Sequence, residues 1–352
     1  MRQIVLKLMA WLMKLAVMLP TSWKIWLSGG KPLVLGGRTL DPDLQLLTYL
    51  AARQPPVHSM APEDAQAKVA EAEKMLATRP EPGVSWRDFE ISSRASHMIP
   101  VRLYRPGDQN PAAPMMAYFH MGGGVIGNVD TSHAMCGILC RVLRCPIVSI
   151  DYRLAPQHKF PAGLEDCLDG YEWALKNAES LGAPAARATV GGSSMGGGFS
   201  AIIAQETRRQ GIPMPDLQLL IYPGTHVTAD FPSHEIYGET YPLDRKTVEW
   251  FMDLYLPEGT DKEDVLLQPA IEPRLEGLPP AIVATAGFDP LVDDGEAYAK
   301  KLRDAGVDVV YKCYDSLAHG FVGFTAVSPA SRAACLDIAY LTAKAYAKLE
   351  AT

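Results

Sequence analysis

The sequence contains no run rich in lysine or arginine. Its 33 Lys and Arg stand against 40 Asp and Glu, a formal net charge of −7. It therefore lacks the basic footprint that a phosphate backbone demands, and nucleic acid is excluded as a partner. There is no C-x-x-C pair, and none of Cys136, Cys140, Cys145, Cys167, Cys313 and Cys335 stands with histidines at zinc-ligand spacing. No metal site is expected. Cys136 and Cys140 lie one helical turn apart and read as a buried apolar pair, and this cysteine usage fits a reducing cytoplasm. Internal repeats and low-complexity segments are also absent. What remains is 352 residues, 48% hydrophobic and 21% charged, enough for a sizeable core in about two domains or one large α/β fold.

The N-terminus is unusual. Residues 3–19 read QIVLKLMAWLMKLAVML and end at Pro20. Gln3, Lys7, Ala10 and Lys14 share one helical face, and the rest is apolar. Two lysines make a poor transmembrane span, and the interrupted apolar stretch without an A-x-A site argues against a signal peptide. Two readings stay open, packing on the protein as part of a lid and lying in a membrane interface with the lysines among headgroups. Packing is preferred.

Further on, residues 61–77 have the pattern of an amphipathic helix with acidic residues at its start, and Pro80, Pro82 and Gly83 break the chain. Short apolar runs then alternate with helical patterns. Strands are expected at 86–92, 99–104, 114–119, 146–150, 187–191, 217–221, 281–286 and 308–313. Helices are expected at 132–144, 162–178, 196–210, 294–305 and 331–349. Runs such as PAIVATAG and LQLLIYP suit strands buried on both faces. The alternation predicts an α/β class with a mostly parallel sheet flanked by helices, and sites at the carboxyl ends of its strands. Residues 223–262 interrupt it, and their aromatic and proline content suggests an inserted cap.

Within VGGSSMGGGF, Gly192-Ser-Ser-Met-Gly196 is a G-x-S-x-G centred on Ser194, after a strand and before a helix. That is the setting of a nucleophile elbow, where the flanking positions must be nearly free of side chain. A serine needs a base, and the base needs an orienting acid. Downstream, Asp289 follows the run AIVATAGF, and His319 follows the last strand in SLAHGF, the order such a fold requires. Asp293 and Asp294 read instead as N-terminal carboxylates of the next helix. Of the other histidines, His58, His97, His120, His133, His158, His226 and His234, none lies beyond the last strand. The stretch YFHMGGGVIG follows another strand, and the backbone N–H groups of Gly122 and Gly123, joined by that of Met195, suit an oxyanion hole. Gly122-x-Gly124-x-x-Gly127, with Asp151 further on, also has the form of a dinucleotide fingerprint. The polar stretch GNVDTS stands where that helix should begin, so the dinucleotide-binding oxidoreductase reading is set aside. A catalytically silent ligand-binding protein on the same fold is the other alternative.

These residues resemble the hormone-sensitive-lipase-like branch of the α/β-hydrolase superfamily, chiefly bacterial carboxylesterases of family IV. The similarity runs from about residue 40 through LDPDLQLL (40–47), IPVRLYRP (99–106), HMGGGVIGNVDT (120–131), DYRLAPQHKFPAGLEDC (151–167), GSSMG (192–196), GLPPAIVATAGFDPLVDDGEAY (277–298) and AHGF (318–321). The resemblance implies an α/β-hydrolase fold with an eight-stranded sheet. It assigns Ser194 as nucleophile, Asp289 as acid and His319 as base, with the oxyanion hole at Gly122, Gly123 and Met195. It also implies a helical cap from residues 1–80 and 223–262 over a core of 81–222 and 263–352. The expected function is hydrolysis of short- to medium-chain esters with no cofactor or metal, by a cytoplasmic enzyme. Peripheral membrane contact through residues 3–19 and a homodimer stay open. Five cap aromatics, Phe231, Tyr237, Tyr241, Trp250 and Phe251, suggest an apolar pocket. Several positions depart from the family pattern: Met121 replaces a glycine, Gly124 an aromatic, Ser193 an aspartate and Met195 an alanine. Gln157 stands where glutamate is common.

Overall fold

The computed structural model describes residues 16, 18–76 and 81–350. The preferred packing of residues 3–19 therefore falls almost wholly outside the described residues. Eight strands form one sheet: β1 (Val84–Ser92), β2 (Met98–Pro106), β3 (Met115–Phe119), β4 (Ile147–Ile150), β5 (Ala188–Ser193), β6 (Gln218–Ile221), β7 (Ala281–Phe288) and β8 (Val309–Ala318). Their order is β8-β7-β6-β5-β3-β4-β2-β1. Pairing is parallel from β8 through β4, while β2 runs antiparallel to both β4 and β1. Every residue of β3 to β7 is buried. Helices cover both faces, so neither face of these strands meets water and their sequences are continuous apolar runs rather than alternating ones.

Among the described residues, α1 (Thr21–Leu27), α2 (Pro42–Ala51) and α3 (Pro62–Leu76) precede the sheet. The rest are α4 (His133–Leu143), α5 (Ala162–Asn177), α6 (Met195–Gln210), α7 (Pro232–Ile236), α8 (Arg245–Tyr255), α9 (Val292–Asp304) and α10 (Pro329–Glu350). The expected elements are thus present, with ends shifted by a few residues. The largest shift is in β8, which runs past residue 313 to Ala318 through a register irregularity between Tyr314 and Ala318. This brings the end of the strand directly to His319. Residues 223–262 hold α7 and α8, between β6 and β7. No helix begins within the glycines of 122–127, and α4 starts only at His133, which removes the geometry a dinucleotide site needs.

Candidate active site

At Ser193 the central strand β5 stops and α6 begins two residues later. The link is Ser194, at φ +54° and ψ −119°, a conformation that costs a residue with a Cβ on the order of 1–3 kcal/mol. Its neighbours must be glycine. A Cβ at Gly192 would lie 2.3 Å from the Gly196 carbonyl carbon, and one at Gly196 would lie 2.1 Å from the Phe119 oxygen. The Ser194 N–H donates to the Ile221 carbonyl at 2.9 Å, fixing the turn to β6. Ser193 is wholly buried and has no part in the cavity wall that Ser194 joins.

Asp289 follows β7 and His319 follows β8. The Asp289 Oδ2 lies 2.7 Å from His319 Nδ1, and His319 Nε2 lies 3.0 Å from Ser194 Oγ. All three side chains are buried. Asp289 Oδ1 accepts from the Leu291 N–H at 2.8 Å, which sets the carboxylate plane. Tyr222, at φ +36°, holds its ring against the imidazole with centroids 4.7 Å apart. Of the other histidines, His58 meets Thr247, His97 meets Asp166 and His234 meets Asp294, while His133 and His226 line the same cavity as the triad.

The glycine loop after β3 is closed on itself, with the Val125 and Ile126 N–H groups both donating to the Gly122 carbonyl at 3.0 Å. Its root is His120, fully buried, stacked on Tyr152 at 4.0 Å and facing the Met121 carbonyl through Nδ1 at 2.7 Å. Burial pushes this imidazole down to about 4, so it stays neutral and donates through Nδ1–H. Among the described residues the N–H groups of Gly122, Gly123 and Met195 have no hydrogen-bond acceptor, and all three residues line the cavity that holds Ser194 and His319. The aromatic that the resemblance expects at position 124 has been replaced in space. A Cβ at Gly124 would lie 2.7 Å from the Tyr255 ring and 3.4 Å from the Met195 methyl. The ring arrives from α8, and the larger Met195 closes the remaining gap.

The cavity measures about 740 Å³. Its walls come from α3 and the segment before it (Val57, Val69, Glu73), from the 223–262 segment (Tyr241, Phe251) and from the core. They continue to Leu266 and Leu267, past residue 262. Of the five aromatics expected there, Tyr241 and Phe251 line it. Tyr237 turns away to Phe288 and Arg38, Phe231 packs between His226 and His234, and Trp250 packs on Phe251. Asp293 and Asp294 do sit in the first turn of α9, but they tie down α7: Asp293 accepts from the Ser233 N–H and Asp294 contacts His234 Nε2. The sequence reading missed Glu73, which accepts from the Thr131 hydroxyl and whose carboxyl is pushed up to about 7 by burial. It also missed Asp151 as a half-buried carboxyl, raised to about 6 by desolvation, with an oxygen 4.0 Å from His120 Nε2.

A family described as alpha/beta hydrolase fold matches residues 116–323. The chain is similar to carboxylic ester hydrolase LipN of Mycobacterium tuberculosis, 39% identical over 86% of this chain and 82% of that protein. It is also similar to the ethyl acetate hydrolase of Pseudomonas putida, 33% identical over 81% and 92%. Among solved structures it resembles an ester hydrolase from the metagenome of Lake Arreo, complexed with a bipyridine phosphonate derivative. That pair has a TM-score of 0.82 and 35% identity, covering 87% of this chain and 98% of the other.

Proposed function

The chain belongs to the hormone-sensitive-lipase-like branch of the α/β-hydrolase fold and is a carboxylic ester hydrolase, and from that premise we propose that Ser194, His319 and Asp289 carry out its reaction through an acyl-enzyme. His319 Nε2 takes the proton from Ser194 Oγ as the oxygen attacks the ester carbonyl. Asp289 accepts from Nδ1–H, holding the tautomer and stabilising the imidazolium. The tetrahedral oxyanion receives the N–H groups of Gly122, Gly123 and Met195, whose free donors need no reorganisation as charge develops. The last of these opens α6, so the helix N-terminus adds its positive end. The proton on His319 passes to the departing alcohol, and water then attacks the acyl-enzyme by the same route.

The observation that carries this reading is the continuous contact Ser194–His319–Asp289, at 3.0 and 2.7 Å, on the wall of a cavity beside three donors without acceptors. The finer part of the proposal is a preference for short to medium acyl chains. It is supported by the apolar lining from Val57, Val69, Phe251, Met252 and Leu267. Residues 1–80 and 223–262 act as one cap, a division supported by the share both described parts take in the wall.

A panel of p-nitrophenyl esters of increasing acyl length tests both parts. The expected result is turnover that declines at long chains, no detectable turnover by Ser194→Ala, and most of the activity kept by Ser193→Ala. Activity surviving in Ser194→Ala and lost in Ser193→Ala would mean the elbow is misassigned. Turnover that rises steadily with chain length would refute the acyl preference while leaving the triad standing.

A further inference from the structure

We propose that the surface formed by residues 18–34 docks on an anionic lipid bilayer. The helix α1 is built inside out. An ordinary surface helix turns its apolar stripe to the core and its charges to water. Here the one charged residue, Lys24, is buried and paired with Asp43 at the start of α2. The apolar residues face outward instead: Trp23 is 59% exposed, Trp26 71% and Leu27 41%, flanked by Met18 at 80%, Leu33 at 37% and Val34 at 55%. Trp23, Trp26 and Leu27 follow the i, i+3, i+4 spacing of one helical face.

This arrangement is fixed rather than incidental. Gln45 of α2 donates to the Ser28 and Lys31 carbonyls at 3.2 and 2.9 Å and accepts from the Leu33 N–H at 2.9 Å. The Lys24 pair locks the helix rotation, so the tryptophans are held outward by buried polar contacts. A cluster of exposed apolar residues on one short segment marks an interaction surface. Indole, with an apolar body and one N–H, is suited to a bilayer's headgroup level.

Charge selects the occupant. Residues 1–40 contain Arg2, Lys7, Lys14, Lys24, Lys31 and Arg38 and no Asp or Glu. The remainder then holds 33 − 6 = 27 basic and 40 acidic residues, a net −13 against +6 for the first 40. Lys24 and Arg38 are paired with Asp43 and Asp315, whereas Lys31 is exposed beside the patch. An anionic surface attracts this end and repels the rest, which orients the molecule as well as binding it. A second copy of the chain would instead bring like charge against like. Among the described residues no helix is long and apolar enough to cross a membrane, so the described part of the chain meets a bilayer at its surface.

The test is co-sedimentation of the full chain with vesicles of phosphatidylcholine alone and with roughly a third phosphatidylglycerol, at about 0.1 M salt and again at about 1 M. Wild type should bind the anionic vesicles, bind the zwitterionic ones more weakly, and be released by high salt. The double variant Trp23→Ser/Trp26→Ser should lose roughly tenfold or more of that binding while keeping a cooperative thermal unfolding transition near the wild-type temperature, which establishes that it folds. Binding unaffected by the double substitution, or no vesicle binding by wild type, would overturn the proposal. So would a dimer that the double variant dissolves, since the patch would then belong to a second copy. The emission of Trp23 and Trp26, taken as wild type minus the double variant, should shift to the blue only when lipid is added; a difference spectrum already blue-shifted without lipid and unchanged by it would show the patch covered within the protein and equally overturn the proposal.

Discussion

At the scale of single residues, the site depends on backbone conformations that only certain neighbours permit. Ser194 is held at positive φ by Gly192 and Gly196, neither of which has room for a methyl group. The cost of that turn is offset by the surrounding packing and hydrogen bonds, and its product is a hydroxyl aimed at His319. Replacing Asp289 by Asn keeps the shape but loses the charge facing His319 Nδ1. Steady-state kinetics should show kcat lowered about 10³–10⁴-fold with KM little changed, and a loss below tenfold would remove Asp289 from the mechanism. Gly123 offers a sharper test. At φ +63°, a Cβ there would lie 2.4 Å from the Phe251 ring. Gly123→Ala should displace one oxyanion donor and lower kcat about 10²–10³-fold. Adding Phe251→Ala removes the clash but not the backbone strain, so part of the loss should return, a coupling that two unrelated lesions would not show.

At the scale of elements, α3 leans on the loops that carry the site. Gln66 donates to the Val125 carbonyl at 2.8 Å, and Glu73 pairs with Thr131. In the folded protein the Glu73 carboxyl keeps its proton to about pH 7, against an ordinary value of 4.5. Between those values the native state binds more protons than the unfolded chain, so this group makes stability fall as pH rises through that window. Glu73→Gln cannot ionise. It should be more stable than wild type at pH 8, by on the order of 1–3 kcal/mol, with the gain shrinking toward pH 5. Urea unfolding at the two pH values checks this, and a loss of stability at pH 8 would contradict it. The same scale explains what the sequence makes legible. The central strands β3 to β7 are buried on both faces, so each is a continuous apolar run that can be read without tertiary information. Ser194 and Asp289 each sit at the end of such a run, and His319 follows the half-exposed edge strand β8, so all three could be found from the strand pattern. Glu73 and Tyr222 could not, because nothing local marks a residue that reaches the site only through packing. Periodicity also misplaces aromatics in the 223–262 segment. Tyr237 looks like Tyr241 in sequence, yet Arg38 and Phe288 draw it to the opposite side. In α1 the usual rule assigns the wrong face, since Lys24 is inside and Trp23 outside.

For the whole molecule, strand order brings the chemistry together. β3 and β5 pair in parallel with Phe119 opposite Gly192, which sets the root of the glycine loop beside the elbow. The acid and base come from β7 and β8 at the same carboxyl edge of the sheet, where open α/β folds place their sites. No covalent cross-link supports this assembly, because all six cysteines are free and only Cys313 is not buried. Its thiol is pushed up to about 11 by burial. A disulfide-exchange reagent should therefore find little reactive thiol in the native protein and six after unfolding, and reductant should leave the melting temperature unchanged. Fewer than six after unfolding would reveal a bond absent from this structure. The account turns on a single activated hydroxyl, and covalent capture with a fluorophosphonate followed by peptide mass mapping measures it most directly. It predicts one adduct per chain, on Ser194, absent from His319→Ala. An adduct on Ser193, or a fully active enzyme that takes up no label, would contradict it.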